Sequence, residues 1–210
     1  MIEELIKQAK AMLLFTKDSI VYVERELGET LVKQLDPDCL VKAITDTDFT
    51  SEWFLDSRCT VHKIKRNQGK TVTVASIKPS AQVLNFKSFT LELILPGTVM
   101  VCKQPDLWLY AYKGHLGIQS RLYNFPLPNI DANHKVCWGS VISSLNQFQS
   151  PFNLYLKFIS SEFNQDYVNN KSRTSPGNVL IQLKKISQSQ AKFYPEDDLI
   201  RANLVLKDLC

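Results

Sequence analysis

The sequence predicts an α+β fold, on three observations. Apolar, β-branched segments between residues 70 and 112 read as four or five successive antiparallel strands, a meander. A well-capped helix follows the meander and a shorter one precedes it. Two apolar stretches near the N-terminus form a hairpin of their own. These set three regions: an N-terminal β-hairpin extension over 1–34, a core over 35–175, and a C-terminal tail over 176–210 packed on that core.

The elements follow in chain order. "KAMLLFTKDSIVYVERE" places two strands around Lys17-Asp18-Ser19. "DPDCLVKAITD" offers an Asp cap, Pro37 at the first helical position, and Cys39, Leu40 and Ala43 at helical spacing, a short helix over about 37–46. The meander is carried by "GKTVTVASI", "AQVLNF", "FTLELIL", "VMVCK" and "DLWLYAY", with Pro96-Gly97 as a turn between two of the strands. "KGHLGIQSRLYNFPLPNIDANHK" has two glycines, two prolines and no sustained period, so it reads as irregular backbone. A segment of that length in a compact domain is usually functional or disordered, and its apolar residues argue against disorder. Ser150 then caps a helix with Pro151 at its first position, and Leu154, Leu156, Phe158, Ile159 and Phe163 run down one broad face. "NVLIQLKKISQ" fits a helix or a strand, and "DDLIRANLVLKDLC" closes the chain with short apolar segments.

Composition removes several function classes. The chain of 210 residues is 44% hydrophobic and 22% charged, values of an ordinary globular protein with length enough for a full core. The net charge of +4 is mild, and the densest basic cluster, Lys63, Lys65, Arg66 and Lys70, brackets a turn at Asn67-Gln68-Gly69. A nucleic-acid surface carries a stronger basic stripe, so that cluster reads as a solvated hairpin tip and a plasmid-partition or nucleic-acid accessory role is disfavoured. No apolar run reaches the length of a membrane span, and the acidic N-terminus does not read as a secretory signal. Five cysteines, an odd number with no CxxC pair, suggest neither a disulfide framework nor a zinc site, and point to a reducing, cytoplasmic setting. His62, His115 and His134 stand at no metal-ligand spacing. There is no GxGxxG, phosphate loop or GxSxG elbow, so neither cofactor nor metal is expected.

Cysteine chemistry remains. Cys39 and Cys102 fall on inward faces of regular elements and read as buried thiols. Cys59 and Cys210 have no informative context. Cys137 follows the irregular segment, where loops on a rigid scaffold carry function. Asn129 lies eight residues upstream. An Asn after Pro normally bonds its own backbone in a turn, but here a second role is open. A cysteine that carries an acyl group as a thioester passes through an oxyanion when an amine attacks. A carboxamide N–H near the sulfur stabilises that charge by about 3 kcal/mol. The thiolate leaves readily, so a histidine base is optional, unlike in a cysteine protease.

The stretch "LPNIDANHKVCWGSVI" resembles the "HPNI…ICLDIL" line of ubiquitin-conjugating enzymes, which also place a four-stranded antiparallel meander before this motif and helices after it. The chain is more closely similar to the prokaryotic conjugating-enzyme-like family D, the PRTRC system protein B group. "FPLPNIDANHKVCWG" and "SSEFNQDYVNNKSR" carry that likeness, which spans about residues 35–175. The resemblance implies a conjugating (UBC-like) fold. It implies that Cys137 accepts the C-terminus of a ubiquitin-like protein as a thioester and that the modifier passes to an amine. It implies that Asn129 supplies the oxyanion contact or holds the loop, and that Pro128 shapes the turn. It implies a polar residue near the cysteine that lowers the pKa of the attacking amine, for which Asp166 is the candidate and Asn164 the runner-up. The implied partners are a ubiquitin-like protein, a ThiF-like activating enzyme and a JAB-type peptidase. Two positions depart from the pattern. Leu127 stands where the family has the motif histidine, and Trp138-Gly139 replace the small acidic pair after the cysteine. His134 reads as a solvent-exposed turn residue and Trp138 as a core residue covering the loop. The missing histidine leaves a second reading of the same fold, a non-catalytic adaptor that binds a ubiquitin-like protein or the activating enzyme.

Overall fold

Alternating apolar residues and proline positions shape most of the chain in the computed structural model, which describes residues 11–15, 19–26, 29–37, 40, 49–50, 61–67, 70–103, 105–139 and 150–209. The chain divides into two units, Met1–Asp48 and Phe49–Cys210.

In the first unit, β1 (Ala11–Phe15), β2 (Ile20–Glu26) and β3 (Glu29–Leu35) form an antiparallel sheet in that order. The expected hairpin is present, with Phe15 opposite Ile20, and β3 extends it by a third strand pairing Ile20↔Leu35 through Glu26↔Glu29. Of the short helix expected over 37–46, only Pro37 and Leu40 are described. Both are helical, and the Leu40 N–H donates to the Asp36 carbonyl at 3.1 Å. The rest of that helix, with Cys39, lies outside the described residues.

The second unit is α+β. Its main sheet has seven strands: β4 (Phe49–Thr50), β5 (Val61–Asn67), β6 (Lys70–Ile77), β9 (Gly97–Lys103), β10 (Asp106–Tyr112), β11 (Arg121–Asn124) and β13 (Arg201–Val205). The order is β13-β11-β10-β9-β6-β5-β4, antiparallel throughout. A separate sheet holds β7 (Ser80–Phe86), β8 (Phe89–Leu95) and the short β12 (Glu162–Phe163), which pairs parallel with β7.

The expected consecutive meander is therefore divided, and prolines explain how. β6 and β7 form one arm of a long antiparallel ribbon, and β8 and β9 form the other. The register runs through unbroken, from Ile77↔Thr98 to Ser80↔Leu95. Pro79 and Pro96 sit opposite one another where the ladder is interrupted. Neither has an N–H to donate, so the ribbon creases there and its tip forms a second sheet. Pro96-Gly97 is thus a crease within one arm, not a turn between paired strands. Gly97 is required for space: a Cβ there would run into the face of the Tyr112 ring.

Ser150 caps α1 (Pro151–Ser160), its Oγ accepting from the Asn153 N–H at 3.2 Å. Leu154, Tyr155, Phe158 and Ile159 are buried, whereas Leu156 faces solvent, because the apolar stripe is narrower than the expected face. Phe163 lies beyond the helix end, in β12, and is buried there. "NVLIQLKKISQ" resolves as α2 (Val179–Gln188), with Asn178 Oδ1 capping the Leu180 N–H at 2.9 Å. Both faces of the main sheet are covered. α1, α2 and the ribbon tip share a core with Ala75, Met100, Leu107 and Leu109 on one side. Leu206 and Leu209 pack with Val74, Val99, Tyr110 and Leu122 on the other. Cys102 is buried as expected, and burial, then the nearby Asp106 charge, pushes its thiol up to about 11. No helix among the described residues is long and apolar enough to cross a membrane.

Candidate active site

The segment expected to be wholly irregular contains a strand. β11 is only four residues, Arg-Leu-Tyr-Asn, with Leu122 as its single fully buried side chain, so no period announces it. Its place between β10 and β13 makes it a strand, a tertiary effect that local propensity does not carry.

After β11 the chain runs through the core. Phe125, Leu127 and Ile130 are fully buried, and Leu127, at the motif histidine position, is one more core side chain. Asn129 breaks the run with a left-handed φ of 60°, a conformation that asparagine tolerates better than most residues. A tight hairpin follows. Ile130 bridges Val136, and the Asp131 N–H donates to the Lys135 carbonyl at 2.9 Å. Asp131 Oδ1 closes the tip by accepting from the backbone N–H groups of Asn133 and Lys135 at 2.8 and 2.9 Å.

This hairpin docks on the free edge of β10 beside β11. Leu109 N–H donates to the His134 carbonyl at 3.0 Å, and Val136 N–H to the Leu107 carbonyl at 2.8 Å. Lys135 Nζ pairs with Asp106 at 2.9 Å and lies over the Trp108 ring. The docking sets the orientation of the next residues. Val136 and Trp138 are both buried, so the intervening Cys137 is turned outward, and it is exposed with a free thiol. Trp138 meets Phe158 edge-on at 6.3 Å, the core role expected for it.

Hydrogen bonds join the three sequence candidates. The Cys137 N–H donates to the Asn129 carbonyl at 2.8 Å. The Asn129 N–H donates to the Asp166 carbonyl at 2.9 Å. Asn129 Oδ1 accepts from the Asn164 N–H at 3.2 Å. A backbone N–H can only donate, so this contact assigns the carboxamide oxygen and leaves Nδ2 a donor without a partner among the described residues. Asp166 and Asn164 form a reciprocal pair: Asn164 Nδ2 donates to Asp166 Oδ2 at 2.7 Å, and the Asp166 N–H to Asn164 Oδ1 at 2.8 Å. Asp166 lies in a turn beyond α1, three residues after the buried Phe163 of β12. An exposed thiol, a carboxamide donor and a carboxylate are thus tied into one backbone network.

His134 differs from expectation. It is half-buried, not solvent-exposed, with its ring 4.6 Å from that of Tyr110. Burial first, then the Lys171 charge, lowers its pKa, against an opposing pull from Asp131. Lys171 was not evident from the sequence. It is only 4% exposed, and its Nζ donates to the Asp131 carbonyl at 3.3 Å, pinning the hairpin tip to the segment after β12. Burial lowers it to about 8, against the pull of Asp131. No local pattern marks a lysine between Asn170 and Ser172 as buried; only the docked hairpin makes it so. The segment that carries Lys171 is itself anchored by buried Asp198, which accepts from Ser172 Oγ at 2.7 Å, Thr174 N–H at 2.8 Å and Tyr194 Oη at 2.7 Å. Burial would raise that carboxyl, but the hydrogen bonds from Thr174, Ser172 and Tyr194 prevail and hold it below its ordinary value.

No curated protein and no solved structure matches the chain. A family model does, over residues 38–202, which include the whole hairpin, Asn129, Cys137 and Asp166. The chain belongs to prokaryotic E2 family D.

Proposed function

We propose that this E2-like protein carries a ubiquitin-like modifier as a thioester on Cys137 and passes it to an amine. The observation that supports this best is the outward Cys137 thiol, whose backbone N–H is bonded to the carbonyl of Asn129. In this reading a ThiF-like activating enzyme delivers the modifier with its C-terminal carboxyl activated by ATP, and the Cys137 thiolate attacks that acyl carbon and expels the activating group, AMP or the activating enzyme's own thiolate. The incoming amine then adds to the thioester carbonyl, and Asn129 Nδ2 donates to the oxyanion that forms. Collapse expels the Cys137 thiolate, and the amine loses a proton. Asp166 stands in the same network, where a carboxylate draws in a cationic amine and can accept the proton that it loses. A JAB-type peptidase would act on the modifier or its products, and the reaction belongs to a cytoplasmic setting.

A second reading keeps the binding and drops the chemistry. Leu127 fills the motif histidine position and is fully buried, so no ionisable group stands there. A non-catalytic adaptor for the modifier or the activating enzyme would tolerate that.

A charging assay separates the two. The protein is mixed with the ubiquitin-like protein and the ThiF-like enzyme of its own gene neighbourhood, with ATP, and run on a non-reducing gel. The thioester reading predicts a shifted band that disappears with thiol reductant and is absent for Cys137→Ala. Modifier binding without any band selects the adaptor.

A further inference from the structure

A second polar site lies at the opposite edge of the main sheet from β4. β11 and β13 pair at Arg121↔Val205 and Tyr123↔Arg201, so Ala202, Asn203 and Leu204 stand opposite the single residue Leu122. This is an enlarged bulge of three residues against one, and Asn203 sits in it with a left-handed φ of 57°. The bulge opens a cleft of about 290 Å³ lined by Arg121, Leu122, Arg201, Asn203, Leu204, Val205 and Asp208. Register puts Arg121 and Arg201 on the same face of the two strands. Among the described residues neither guanidinium has an ion-pair or side-chain hydrogen-bond partner. The one acidic lining residue, Asp208, is committed to a backbone contact, accepting from the Val205 N–H at 2.9 Å.

Two like charges over one cleft that holds a single carboxylate repel, and an anion between them relieves that repulsion. The guanidinium fork matches a carboxylate in plane and spacing. With Asp208 included, the cleft carries one net positive charge, which suits a monoanion better than a phosphate dianion. Leu204 and Val205, both partly exposed, add an apolar wall that a free inorganic ion would leave unused. We propose that this cleft binds a carboxylate carried on an apolar body, either a small organic acid or the C-terminal carboxylate of a peptide. The site is separate from Cys137 and does not rest on the thioester reading.

The test is a titration of the full chain followed by the Nε–H resonances of Arg121 and Arg201, at constant ionic strength. The probes are isocaproate, its neutral amide isocaproamide, inorganic phosphate and N-acetylglycyl-leucine. Isocaproate is expected to saturate both arginine resonances, with isocaproamide at least about tenfold weaker, the loss of one charge-assisted contact. Arg121→Gln and Arg201→Gln are each expected to weaken isocaproate by about tenfold, and Arg201→Lys by less, since the charge stays and only the fork is lost. Binding of N-acetylglycyl-leucine assigns the cleft to a chain terminus, and its exclusion while isocaproate binds assigns it to a free acid. Equal binding of acid and amide, tighter binding of phosphate than of isocaproate, an unsaturable drift, or indifference to both glutamine variants would overturn the proposal.

Discussion

Asn129 carries two separable demands, one from its backbone and one from its carboxamide. Its φ of 60° favours Asn or Gly over other residues, while Oδ1 accepts from Asn164 and Nδ2 stays available. Asn129→Ala and Asn129→Gly both remove the amide, but only alanine adds backbone strain, of about 1 kcal/mol. The thioester reading predicts that both variants charge at Cys137 and discharge to an amine about 100-fold more slowly. Only Asn129→Ala should lose further stability in urea. Wild-type discharge by Asn129→Gly would leave this residue as a turn former and nothing more. Lys171 offers a pH test of the pin beneath the hairpin. Its folded-state pKa of about 8 lies below the ordinary 10.5. Between those values the unfolded chain holds a proton that the folded chain does not. Stability therefore rises as pH goes from 8 to 10.5 and is lost again as pH falls. Other groups titrate in that range, so the measurement is the difference in unfolding free energy between wild type and Lys171→Met. That difference should shift in favour of the wild type by up to about 3 kcal/mol across the interval. A flat difference would mean that the ammonium is solvated.

Among the elements, the creased ribbon shows where sequence pattern succeeds and where it stops. Leu84 and Phe86 in β7, and Leu91, Leu93 and Leu95 in β8, alternate with more exposed neighbours as strand residues should, and each strand from β6 to β10 was legible. Which strands pair was not, because pairing depends on Pro79 and Pro96 facing one another across two arms that are distant in sequence. Gly97 tests the crease. Tyr112 lies flat against it, so Gly97→Ala forces the ring or the strand to move, at about 1–3 kcal/mol, measured by urea unfolding. Tyr112→Ala in the same chain should remove most of that cost, whereas additive losses would show that the contact is slack. The α1 helix was legible because its signals are local: a serine cap, a proline at the first position and a helical apolar stripe. β11 and β13 were not, because each is a short strand with few buried side chains, formed by its neighbours.

At the scale of the whole chain, the nearness of Asn129 and Cys137 was more legible than the fold that brings them together. Their spacing and the family resemblance paired them, and the structure joins their backbones by one hydrogen bond. The sequence did not reveal the means: a hairpin docked on the edge of β10, with Val136 and Trp138 packed inward so that the thiol between them faces out. Membership of prokaryotic E2 family D is consistent with that arrangement and does not by itself supply the chemistry. The central claim is a covalent bond at one atom, so the most direct measurement is intact and peptide-level mass spectrometry of Cys137→Ser after reaction with the activating enzyme, the ubiquitin-like protein and ATP. Serine in place of the thiol would form an oxyester that survives thiol reductant. The account predicts a mass increase of one modifier, mapped to residue 137 and absent in Cys137→Ala. A modifier attached elsewhere in Cys137→Ser, or none on the wild-type chain under conditions in which the activating enzyme is itself charged, would contradict it.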